Sequence, residues 1–258
     1  MNRVDNYEQR FGGIARLYTA EGLARLRHAH ICVIGIGGVG SWVVEALARS
    51  GVGKLTLIDM DDICVTNINR QLPALSSTIG KLKTDVMAER VKAINPECRI
   101  NIIDDFITPD NQVDYLTTEY DYVIDAIDHV RTKAALIAYC KRRKINVITI
   151  GGAGGQTDPT QIQIADLSRT IQDPLLAKVR SVLRKDFHFT QNPQRKFAVE
   201  AVFSQQPVIF PQMLANCTVS ATMNCANGFG AVTMVTATFG FFAVSRVIDK
   251  LLKQRRMT

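Results

Sequence analysis

Through the first 150 residues, short β-branched runs alternate with stretches of helical length. The runs are HICVIG at 30–35, KLTLID at 54–59, CRINIID at 98–104, YDYVIDA at 120–126 and INVITI at 145–150. SWVVEALARSG, KTDVMAERVKAIN and RTKAALIAYCKRRK lie between them and have helical length and composition. This repetition constrains the chain to a doubly wound sheet, because parallel strands need long crossovers and helices supply them.

The rhythm changes after residue 150. A glycine-rich turn, GGAGG at 151–155, precedes an expected strand, TQIQIAD, and a basic polar stretch from Ser168 to Lys196. No clean linker divides the chain. The reading is a nucleotide-binding core over 1–155 followed by a substrate-facing extension and closing interface helix over 156–258, within one continuous domain. With 258 residues and 47% apolar content the chain can bury a proper core. No Asp, Glu, Lys, Arg or His occurs from Ala201 to Ser245, and the most apolar part, 229–244, approaches a membrane span in length. Gly230, Thr233, Thr236, Thr238 and Gly240 interrupt it, so a helix buried in a core or subunit interface is expected there instead.

Gly35, Gly37 and Gly40 stand in G-x-G-x-x-G spacing at the end of the first strand, with Gly38 between them and a helix expected from about Ser41. Glycines let the backbone turn tightly and approach a phosphate, and a helix N-terminus offers free N–H groups to an anion. Nineteen residues beyond Gly40, Asp59 ends the second strand, where a carboxylate can accept hydrogen bonds from a ribose. The expected fold is thus α/β and Rossmann-like, with a C-terminal extension.

That motif does not separate NAD from ATP. The residues beyond it do. MDDICVTNINRQ places Asn67 and Arg70 after the second strand, and GKLKTDV brings Lys83. Cations converging on three phosphates would neutralise the charge that builds when the α-phosphorus is attacked, a task absent from hydride transfer. Asp128, in VIDAIDHV, falls beyond the fourth strand at the edge where open sheets bind ligands, and suits Mg2+. Asp125, three residues earlier, is expected to stay within the strand as a supporting group.

Together GIGGVGS, LIDMDDICVTNINRQ, GKLK and DAIDHV resemble the ubiquitin-activating-enzyme-like superfamily, whose members adenylate carboxyl groups with ATP and magnesium. The resemblance implies ATP contacts for Gly38, Asp59, Asn67, Arg70 and Lys83, and a magnesium ligand at Asp128. It also implies that an N-terminal arginine completes the partner subunit's site. Arg10 and Arg16 are the candidates, and Gly12 and Gly13 break the usual pattern around them.

Members that activate sulfur-carrier proteins commonly hold zinc with two C-x-x-C pairs, and this chain has neither. Carrier adenylation is therefore the alternative. RFGGIARLY, NPECRI, GGAGGQTDPTQIQIADLSRTIQDPL and NCANGFGAVTMVTATFG resemble instead the branch that dehydrates threonylcarbamoyladenosine in tRNA. The implied reaction joins the threonyl carboxylate to AMP and then closes a ring. A homodimer is implied as well, and a sulfur-relay protein is a further expected partner.

A formal charge of +7 permits a polyanionic partner such as tRNA. KRRK at 141–144, Lys178, Arg180, Arg184, Lys185, Arg195, Lys196 and the tail KLLKQRR are candidate phosphate contacts, although a solvated helix face explains any one of them. The six cysteines are scattered, which fits reduced thiols in the cytoplasm. Cys217 and Cys225 have no His or Lys neighbour in sequence, so buried packing is expected rather than a thioester role.

Overall fold

The computed structural model describes residues 6–210 and 229–253. Helix α1 spans Tyr7–His28 and bends at Thr19, which holds φ 69° and accepts a hydrogen bond from Gly22 N, so a second helical segment starts there. Then follow β1 (His30–Ile34), α2 (Gly40–Arg49), β2 (Lys54–Ile58), α3 (Lys83–Ile94), β3 (Arg99–Ile103), the single turn α4 (Gln112–Tyr115), β4 (Tyr122–Asp125), α5 (Val130–Arg143) and β5 (Val147–Ile150). The remainder supplies β6 (Ile162–Asp166), α6 (Pro174–Asp186), β7 (Glu200–Ser204) and α7 (Thr233–Lys253).

The described strands form one seven-stranded sheet in the order β3-β2-β1-β4-β5-β7-β6. All neighbours run parallel except β6 against β7. The expected parallel, doubly wound α/β architecture is present, and the stretch after residue 155 adds two strands to the same sheet. Strand order reverses beside β1, between β2 and β4, which opens a crevice at the carboxyl ends of those strands.

Two apolar layers sandwich the sheet. Val43, Val44 and Leu47 of α2, Met87 and Val91 of α3, and Val235, Phe239 and Val247 of α7 cover one face. Leu136 and Ile137 of α5 with Leu176, Val179 and Leu183 of α6 cover the other. The apolar stretch near 229–244 thus becomes a helix packed into its own chain. Gly240 allows this, since a β-carbon there would meet Val39 O at 3.0 Å and Trp42 Cβ at 3.2 Å, and α7 can press on the first turn of α2. Among the described residues no helix is long and apolar enough to cross a membrane.

Candidate nucleotide-binding site

The turn after β1 is shaped by its glycines. Gly35 adopts φ +84°, and a β-carbon on Gly40 would fall 1.7 Å from Gly35 O, so neither position accepts a side chain without distortion. Helix α2 begins at Gly40 with no side-chain cap and no acid in its first turn. Ser41 N and Trp42 N are engaged with Gly37 O and Val39 O, which leaves the turn ahead of them, Gly38 to Gly40, as the part that can face an anion, and the helix dipole favours one there. Ser41 Oγ holds the turn from behind by donating to Gly37 O at 2.7 Å and accepting Leu72 N at 3.3 Å.

Asp59 follows β2 and is buried. Its carboxylate accepts Ile36 N at 2.6 Å and Asp61 N at 2.9 Å, which ties the glycine turn to the end of the second strand. Burial pushes its carboxyl up, while the nearby Lys83 charge and the two N–H donors pull the other way. The loop that follows zips to a distant segment: Ile63 N donates to Lys81 O at 2.9 Å, and Lys83 N to Asp61 O at 3.1 Å. This pairing carries Lys83, the first residue of α3, to the site, where its ammonium meets Asp61 Oδ2 at 2.6 Å and is itself buried.

Between these two segments the chain makes a short turn. Asn67 Oδ1 accepts Cys64 N at 3.0 Å, so its amide N–H2 is the end left for a ligand. The Arg70 side chain crosses Gly38, where a β-carbon would approach its Cγ to 3.3 Å, and Arg70 Nη1 donates to Thr66 O at 2.7 Å. Trp42 Nε1 donates to Arg70 O at 3.0 Å, while Asn69 Nδ2 donates to Ala231 O and Thr233 Oγ1 to Asn69 O. The start of α7 therefore braces the turn that carries the arginine. Gln71, which sequence reasoning passed over, lies beside Gly37 with its Oε1 buried and unpartnered. Its only signal in the sequence is its place directly after Arg70.

Asp128 is exposed in the loop between β4 and α5, at the same edge of the sheet as the glycine turn. Asp125 is wholly buried and paired with Lys133, as befits a supporting group. The two arginines of α1 are placed differently from one another. Arg10 Nη1 donates to Ala93 O and Ile94 O, capping the C-terminus of α3. Helix α3 has 12 residues, which sets that end about 18 Å from Lys83. Arg16 is exposed, makes no hydrogen bond or ion pair among the described residues, and has its guanidinium near Gly12 and Gly13. Cys217 and Cys225 lie outside the described residues.

A glycine turn ahead of a helix, a buried strand-end acid, two cations and an exposed carboxylate on one sheet edge have the chemistry that a nucleotide-dependent adenylating enzyme needs. The chain belongs to the ThiF family, which matches residues 12–257. It is 82% identical over 255 residues to a tRNA threonylcarbamoyladenosine dehydratase of Haemophilus influenzae, covering 99% of this chain and 98% of that protein. The dehydratase of Escherichia coli is 58% identical over 255 residues, with 96% and 95% covered. A crystal structure of the Escherichia coli enzyme in complex with ATP superposes with a TM-score of 0.88 at 56% identity and covers 97% of each chain.

Proposed function

We propose that this chain is an ATP-dependent tRNA threonylcarbamoyladenosine dehydratase. The observation that carries the reading is near end-to-end identity to such an enzyme, 82% over 99% of the chain. In the proposed reaction the free carboxylate of the threonyl unit attacks the α-phosphorus of ATP, forming an acyl adenylate and releasing pyrophosphate. A urea atom of the same group then attacks the activated carbonyl and expels AMP, so the net loss is one water.

Each residue has a physical task in this scheme. The α2 N-terminus and the N–H groups of Gly37, Gly38 and Gly40 receive phosphate oxygens, Gly35, whose own N–H donates to Ile58 O at 2.9 Å, shapes the turn, and Asp59 receives the ribose hydroxyls. Asn67 donates to the nucleotide. Arg70 and Lys83 neutralise charge as the α-phosphorus becomes five-coordinate. Ring closure is intramolecular, and effective molarities of roughly 10⁵ M or more are open to well-placed groups, so no protein nucleophile is required.

The donor set at Asp128 fits magnesium. Asp128 is an exposed carboxylate at the edge of the sheet that carries the glycine turn, and among the described residues no cluster of three or more His, Cys, Asp or Glu side chains forms a metal cage. Magnesium takes few protein ligands and fills its shell with phosphate oxygens and water. When bound, it would screen the charge of the triphosphate.

The chain is proposed to act in the cytoplasm as a homodimer, with a sulfur-relay protein as a further partner. Arg10 is engaged as the cap of α3, which favours Arg16 as the arginine that reaches the partner's site. The basic residues at 141–144 and the exposed Lys178 and Lys185 of α6 are proposed to meet tRNA phosphates, whereas Arg180 is engaged with Thr170 and Arg184 lies over the Phe197 ring. Purified protein incubated with modified tRNA and ATP should lower the mass of the modified nucleoside by one water. An unchanged nucleoside with ATP present would refute the reading, and ATP–pyrophosphate exchange that needs a carrier protein instead of tRNA would replace it with carrier adenylation.

A further inference from the structure

Lys133 is fully buried on α5, and no step of the proposed adenylation uses it. A buried ammonium is costly to desolvate, and well-packed apolar residues can often replace a whole buried ion pair with no loss of stability. Where its donors go is therefore informative. Lys133 Nζ meets Asp125 Oδ2 at 2.9 Å, Ile127 O at 2.8 Å and Asp125 O at 3.3 Å, which occupies all three N–H groups. Asp125 in turn accepts Thr149 Oγ1 at 2.7 Å and Ile127 N at 3.1 Å.

One ion pair thus grips Ile127 by both of its backbone groups, and the carbonyl it holds belongs to the peptide bond that leads into Asp128. The other side of the segment is closed as well, since a β-carbon on Gly35 would come within 3.0 Å of Ala126 O and 3.3 Å of Ile127 N. Residues 126 and 127 are clamped between the glycine turn and the ion pair. From these contacts we infer that Lys133 is a positioning residue for Asp128: its buried charge fixes the backbone that aims this carboxylate at the magnesium of the bound triphosphate. The inference rests on the reading of Asp128 given above.

The test is calorimetric titration of full-length protein with ATP, with and without Mg2+ and without tRNA, alongside thermal melting. The variants are Lys133→Met, Lys133→Arg, Asp128→Ala, the neutral pair Lys133→Met with Asp125→Asn, and that pair combined with Asp128→Ala. Lys133→Met should weaken Mg2+-supported ATP binding about 10- to 100-fold, the range found when a group orienting a metal ligand is removed. Metal-free ATP binding should stay within about 2-fold. The neutral pair should recover most of the melting temperature and keep the Mg2+ defect, and adding Asp128→Ala to it should weaken binding little further, because both changes remove one interaction.

Lys133→Arg retains the charge on a planar fork that cannot reproduce three converging ammonium bonds, so a folded protein with a partial Mg2+ defect is expected. It serves as the informative variant if Lys133→Met fails to fold. A neutral pair that regains wild-type Mg2+ dependence would overturn the inference, as would additive losses with Asp128→Ala. Loss of Mg2+ dependence in Asp128→Ala alone, with the Lys133 variants unaffected, removes this inference and leaves the functional reading standing. A wild-type protein whose ATP binding ignores Mg2+ removes both.

Discussion

The aspartates that end β2 and β4 arrive in almost the same letters, LID at 57–59 and VID at 123–125, on the two strands that flank β1. Both are buried, and both accept a backbone N–H from two residues further on. They differ in the cation. Asp125 meets Lys133 directly, and Thr149 and Ile127 bring the donors on its carboxylate to three. Asp59 has backbone donors only, and the nearby lysine, Lys83, hydrogen-bonds Asp61 instead. A strand-end carboxylate with its own lysine is a structural rivet. One held by N–H groups alone keeps lone pairs for a ligand hydroxyl.

The contrast can be broken most forcefully at Asp125. Asp125→Ala would strand the Lys133 ammonium in a dry interior, and removing one partner of a buried pair costs about 3–5 kcal/mol. Urea unfolding measures this, and a loss below about 1 kcal/mol would mean that the pair is no rivet. At Asp59 the effect should fall on binding. Asp59→Asn is expected to weaken ATP by about 10-fold, near the 1.5 kcal/mol lower end for a hydrogen bond to a charged group, and to leave inorganic triphosphate, which has no ribose, unaffected. Equal weakening of both ligands would show that Asp59 shapes the phosphate turn instead.

The opposite edge of the sheet gives a test that shows only on acidification. His30 begins β1, its Nε2 lies 2.9 Å from Thr56 Oγ1, and its pKa is lowered to about 4, chiefly by burial and then by the Lys54 charge. Between pH 6.5 and about 4 the unfolded chain takes up this proton more readily than the folded one. Its contribution to stability is therefore intact above pH 6.5, declines as pH falls, and levels off near 4. Solvent screening reduces the full decline, at about 1.4 kcal/mol per pH unit, to on the order of 2 kcal/mol. Urea midpoints measured from pH 7 to pH 4 should fall less in His30→Asn than in the wild type, and parallel curves would exclude His30 as the source.

Much of this molecule was legible from local pattern. The first five strands and the helices between them follow from β-branched runs and helical composition, since a strand or helix buried on the sheet must carry an apolar face wherever it sits. Helix α1 was obscured by Gly12, Gly13 and the bend at Thr19. Strand β7 opens the charge-poor stretch from Ala201, where no alternation sets it apart, and α6 lies within a basic polar run. The antiparallel β6–β7 pair at the sheet edge follows from packing, not from either segment's own letters.

The site divides in the same way. The turn that holds Gly35, Gly37, Gly38 and Gly40, and the strand end that holds Asp59, could be read from the sequence because they are local devices: a strand, a tight bend and a helix start within a short span of chain. Which charged groups then serve a ligand and which serve the fold is a matter of partners, and partners come from afar. The union of Lys83 with Asp61 across 22 positions, the clamp of Lys133 on the loop before Asp128, and the buried Gln71 beside Gly37 arise only when the chain closes. A charge on its own has no sequence signature for its neighbour; burial and hydrogen bonding, which depend on the whole packed structure, assign it one.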